Sequence, residues 1–136
     1  MNIKSSVNRI LAVSALFVSV AAAPGRAADD PSIKGAVREA VQASMAYYID
    51  SKTIGGAFRL YDPVDGRLLK LKLKKLHKGI VKKGDFYVSC ADFVDGKGKL
   101  YDLDFMLIKD GDALHTVQAI VHAAEGKKRP YQLESE

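Results

Sequence analysis

At Gly55-Gly56 the spacing of apolar residues changes from every third or fourth position to every second, which limits the chain to a helix followed by a sheet. Before the switch, in "DPSIKGAVREAVQASMAYYIDSKTIGG", Ile33, Val37, Ala40, Val41, Ser44, Met45 and Tyr48 draw one stripe, as an amphipathic helix does. Pro31 suits a first helical turn, with Asp30 or Ser32 as the cap. After the switch, glycine-bearing turns at Pro63–Gly66, Asp95–Lys99 and Asp110–Asp112 separate alternating segments. The expected strands are 57–62, 67–77, 85–94, 100–109 and 113–123. The fold class expected is therefore α+β: one N-terminal amphipathic helix packed on a curved five-stranded antiparallel meander.

The first 27 residues have the grammar of a secretory signal peptide: Lys4 and Arg9, an apolar run from Ile10 to Ala23, then small residues. That run is about 14 residues, short of the roughly 20 a membrane span needs. Pro24 directly after Ala23 disfavours cleavage there, so Gly25-Arg26-Ala27 is the expected site. The expected organisation is a leader over 1–27, a single domain over 28–126 and a short tail over 127–136, with a periplasmic or secreted location and no stable membrane anchor. Of the 21 basic residues three leave with the leader, so 18 face 16 acidic ones. A net charge of +2 excludes a general nucleic-acid binder. One cysteine permits no internal disulfide, so the fold must rest on packing.

Centring the third hairpin on Lys97 pairs Phe93 with Tyr101, Ala91 with Leu103, Ser89 with Phe105 and Tyr87 with Leu107, one apolar face. Centring the last on Gly111 pairs Val117 with Phe105, Ala119 with Leu103 and Val121 with Tyr101. Leu69, Leu71 and Leu73 join this core by parity. Cys90, Asp92, Asp102 and Asp104 then share the opposite face, with Asp92 across from Asp102, an unfavourable like-charge pair unless neutralised. A turn near Val81 would bring Lys70 to Asp92 and Lys72 to Cys90, and the cluster reads as a solvated charge ladder. Three aspartates also offer oxygens to a hard cation, but on a flat ladder beside lysines rather than on a curved loop. For Cys90 as a nucleophile a histidine base is required. His122 shares its face but is expected across from Leu100, and His115 is expected on the helix side. Neither a metal, a cofactor nor a catalytic set is assigned.

Phe86, Val88, Val94, Leu100, Met106, Ile108, Leu114 and Ile120 share the outward parity, an apolar patch that soluble monomers seldom leave bare. Candidate covers are a second copy, the C-terminal tail, a partner protein or an apolar ligand. Phe86, Val88, Met106, Ile108, Leu114 and Ile120 are the candidate interface. Charge is segregated along the chain: eight basic and no acidic residues from Arg67 to Lys83, then seven acidic and three basic from Asp85 to Asp112. Lys75, Lys78, Lys82 and Lys83 would suit an anion such as a phosphate headgroup or a wall polymer.

A helix followed by a meander able to wrap around it resembles the cystatin-like helix-plus-sheet folds in architecture. The Gln-Val-Val-Ala-Gly type inhibitory segment of cystatins is absent, so protease inhibition is not implied. The function expected is a small exported, non-enzymatic binding module that self-associates as a homodimer or holds a protein partner through the outer sheet face. The alternative is a binder of a small apolar or lipid-like ligand between helix and sheet, at Tyr48, Tyr87, Tyr101 and His115.

Overall fold

The structure is a computed structural model, describing residues 28–131 and 133; the expected leader, 1–27, lies outside the described residues. Helix α1 spans Gly35–Ser51, and seven strands follow: β1 (Thr53–Ile54), β2 (Ala57–Asp62), β3 (Arg67–Lys83), β4 (Phe86–Asp95), β5 (Leu100–Asp110), β6 (Ala113–Ala124) and β7 (Lys127–Lys128). They form one antiparallel sheet in sequence order. This corrects the expected fold class. The sheet has seven strands rather than five, and the one helix among the described residues lies within the chain, after more than thirty residues, rather than at its N-terminus.

The helix starts later than Pro31 suggested, because the preceding residues are committed elsewhere. Asp30 receives the backbone N–H of Ser32 on its carboxylate at 2.9 Å, while its own N–H donates to the Ile80 carbonyl at 2.7 Å. Asp29 accepts from the Ile80 N–H at 3.1 Å. Arg38 fastens this segment, donating to Asp29 and to the carbonyls of Asp30, Ile33 and Lys78. Lys34 stands at the N-cap without a side-chain cap. Val41, Met45 and Ile49, spaced by four, are the buried stripe of α1. At the other end Gly55 and Gly56, both with positive φ, make the two-residue turn from β1 to β2 that side-chain-bearing residues would strain.

Between helix and sheet lies the core, with Phe58, Leu71, Phe93, Tyr101, Leu103, Phe105, Leu107 and Val121 all nearly inaccessible. Its aromatic centre is continuous, Phe58 stacking on Phe93 at 5.3 Å and Tyr48 meeting Phe105 edge-on at 6.2 Å. The free edge of β6 is covered by the helix, where Ser44 Oγ accepts the Thr116 N–H at 2.8 Å. Arg129, just past β7, bonds Asp62 at the end of β2 at 2.6 Å, so the sheet curls until its two ends meet.

The β4–β5 register has all four expected core pairs and sets Asp92 against Asp102. Its neighbours differ. Strand β3 runs to Lys83 rather than His77, and the turn falls at Gly84-Asp85, where Gly84 has φ 54°. Lys72 therefore lies across from Val94, Lys75 takes the place beside Asp92, and Lys70 pairs with Arg59, so the expected Lys70–Asp92 and Lys72–Cys90 neighbours do not form. In β6, Phe105 pairs with Ala119, Leu103 with Val121 and Tyr101 with Ala124, two to three residues along from the expected register. A two-residue turn at Gly111-Asp112 in place of a centre on Gly111, and extra residues at Val117 and His122, each add one position to the offset.

Candidate metal centre

Column by column, the outward face of the sheet centre brings together Cys90 and Asp92 on β4 with Asp102 and Asp104 on β5, as expected. Two histidines join them, and both sit in bulges. On β3 three residues, His77 to Gly79, oppose Cys90 alone between the Leu76–Ala91 and Ile80–Ser89 pairs. On β6 His122 is the unpaired residue between the Leu103–Val121 and Asp102–Ala123 pairs. A bulge bends its strand and re-aims a side chain, and these two turn imidazoles toward the same column from both sides.

Asp104, fully buried, is the hub. Its Oδ1 accepts from Cys90 Sγ at 3.1 Å and lies 2.8 Å from His122 Nδ1, while its Oδ2 accepts the Leu133 backbone N–H at 3.1 Å. His77 Nε2 lies 3.0 Å from Asp92 Oδ2. One ligating atom from each of Cys90, Asp104 and His122 lies within 4.8 Å of the others, and the same holds for His77, Cys90 and Asp102. The two sets share Cys90. Asp102 Oδ1 and His77 Nδ1 are buried without a hydrogen-bond partner among the described residues. Burial pushes the Asp102 carboxyl up to about 6, against the pull of His122 and His77 and with the push of Asp104 and Asp92.

Thiol, imidazole and carboxylate together are the donors that zinc and its neighbours take, whereas calcium and magnesium take oxygen alone. Tetrahedral zinc, with bonds of about 2.0–2.3 Å, holds its ligand atoms roughly 3.3–3.7 Å apart. The contacts on Asp104 are slightly shorter, as expected of ligands drawn together by hydrogen bonds that an ion would replace. A hard-cation site on Asp92, Asp102 and Asp104 is not what assembles, since His77 engages Asp92 and His122 engages Asp104. Lys70 and Lys72 are exposed and stand apart from the cluster.

The other candidate residues are dispersed. Of the interface set, Val88 is fully buried, Leu114 packs on the helix-side core, Phe86, Met106 and Ile120 are half-buried, and Ile108 is exposed. Part of that face is overlaid by the chain's own C-terminal segment, where Arg129 N–H bonds the His122 carbonyl and Leu133 bonds Asp104. Of the pocket set, Tyr48 packs against Phe58 and Phe105, Tyr101 is buried with its hydroxyl accepting from Arg67 at 2.8 Å, and His115 is exposed opposite Ile108. Tyr87 borders a hollow of about 200 Å³ with Val37, Ala40 and Leu114. His115 and Leu114 exchange the faces expected of them because the bulge residue Val117 lies between them and the Ala119–Val121 stretch.

His77, and the bulge that sets His122 beside Asp104, are what sequence reasoning missed at this site. The available signals were Gly79, an interior strand glycine of the kind that marks a bulge, and Gly84-Asp85 as the turn. A turn centred there puts His77 level with Asp92. No sequence marker announces the β6 bulge at His122.

Comparison with known protein families, with curated proteins and with solved structures gives no match.

Proposed function

We propose that this protein is a small exported, non-enzymatic module that binds a transition-metal ion of the zinc class at the outer-face cluster. The observation that carries the reading is the convergence of Cys90, Asp104 and His122, all buried, with ligating atoms inside 4.8 Å of one another. Asp102, whose buried Oδ1 is unpartnered, and His77 are the candidates for a fourth ligand. Binding would displace the Cys90 thiol proton, so affinity rises with pH. The leader-like first 27 residues support export.

Thiol catalysis fits the geometry less well. A nucleophilic cysteine hands its proton to an imidazole held by a carboxylate, whereas here the carboxylate lies between thiol and imidazole. Cys90 is 1% exposed and lines neither described hollow.

Native mass spectrometry of the purified protein with Zn²⁺ tests the proposal. One zinc per chain is expected, weakened at least tenfold by Cys90→Ser and by His122→Ala. Zinc uptake unchanged in both variants would contradict it.

A further inference from the structure

The β2–β3 hairpin carries a second surface, independent of the metal cluster. Register sets Tyr61 against Leu68 and Arg59 against Lys70, and continues outward through Lys72 opposite Val94 and Val94 opposite Leu100. Tyr61, Leu68 and Leu100 are 61%, 56% and 44% exposed, and Lys70, Lys72 and the bulge residue Lys74 are exposed beside them. From Ala57 to Lys75 the hairpin holds six basic and two acidic residues. Both acids are engaged by Arg129, Asp62 at 2.6 Å and Asp65 at 3.3 Å. Lys70, Lys72 and Lys74 form no ion pair with any described residue. The expected neutralisation by neighbouring strands does not happen here.

We infer that this face docks on an anionic lipid surface. Charge complementarity requires an anion, and the apolar residues decide its kind. A linear polyanion would meet the lysines and give Leu68 and Leu100 nothing to bury against. A bilayer interface accommodates a tyrosine ring and leucines just below the headgroups, while lysines reach up to the phosphates along their own apolar stems. The hairpin presents both kinds of side chain from one side of one sheet. Docking is peripheral and salt-sensitive, since headgroup attraction falls off within a Debye length.

The test is flotation of the purified protein with vesicles of phosphatidylglycerol and phosphatidylcholine in equal parts, and with phosphatidylcholine alone. The chain has no tryptophan, so a Leu68→Trp variant adds a unique fluorescent reporter at the contact. Binding to the anionic vesicles alone is expected, lost on going from about 0.1 M to about 1 M salt. The paired change Lys70→Glu with Lys72→Glu lowers partitioning at least tenfold, Tyr61→Ser with Leu68→Ser also weakens it, and the reporter shifts to the blue. All these side chains are exposed, and circular dichroism checks that the variants keep the fold. No binding to anionic vesicles, binding indifferent to both pairs of changes, or binding to soluble polyphosphate without vesicles would overturn the inference.

Discussion

His122 meets Asp104 across the β5–β6 ladder, Nδ1 to Oδ1 at 2.8 Å, from a position that a regular hairpin would set opposite Leu100. The Gly111-Asp112 turn and two inserted residues, Val117 and His122 itself, each move the strand along by one position. Asp104 thereby gains a partner deep in the sheet, and replacing it affects several groups together. Asp104→Ala is expected to destabilise the protein by about 2–4 kcal/mol, because Cys90 and His122 lose a buried acceptor and the half-buried Leu133 N–H loses its partner. Urea denaturation measures this, and a loss under about 0.5 kcal/mol would show that the contacts contribute little.

Asp102 gives a pH signature of its own. Its folded carboxyl titrates near 6 against an ordinary value of 3.8, so the native state holds the proton more tightly than the unfolded chain does. The associated stability is fully present below about pH 4 and is lost as the pH rises from 4 through 6. Two pH units correspond to about 3 kcal/mol, which partial exposure reduces to about 1–2. Asp92, Asp104, His77 and His122 face the group and are present in both proteins, so the difference between wild type and Asp102→Asn isolates it. The variant should be the more stable at pH 7, with the advantage vanishing toward pH 4; equal denaturation midpoints at both pH values would refute the assignment.

Arg129 closes the curl of the sheet. Arg129→Ala leaves the fully buried Asp62 without its cation and is expected to lower stability by about 3 kcal/mol. Hydrogen exchange at Leu133 should rise with it, because the segment leading to Asp104 loses its anchor. Normal protection at Leu133 would show that the segment docks independently of the clasp.

The helix seals the β6 edge through Ser44. Ser44→Ala removes the acceptor for the Thr116 N–H and the 3.0 Å contact with the Thr116 hydroxyl, a loss of about 1 kcal/mol. Faster exchange at the Thr116 amide is the matching local readout, and an unaffected amide would place that edge under other protection.

What sequence reveals here follows from how locally each feature is determined. The β4–β5 pairing was readable because its turn is short and carries Asp95, Gly96 and Gly98, and one centring satisfies every core residue on both strands. Cys90, Asp102 and Asp104 could be placed on one face for the same reason. His122 reads on that face too but opposite Leu100, and His77 does not read there at all, because each enters through a bulge whose position is decided by packing across the whole sheet. The strand expected from the sequence stops at His77 because the alternation of β3 breaks at the bulges, at Lys74 and again from His77 to Gly79. The two-residue strands β1 and β7 are below the length at which alternation carries a signal.

The most direct test of the metal reading is a titration of the reduced, metal-free protein with Co²⁺, followed by absorption. Coordination by Cys90 predicts a thiolate-to-cobalt charge-transfer band in the near ultraviolet that saturates at one ion per chain, disappears on addition of Zn²⁺ and is absent from Cys90→Ser. A featureless spectrum at saturating cobalt, or the same band in Cys90→Ser, would contradict it.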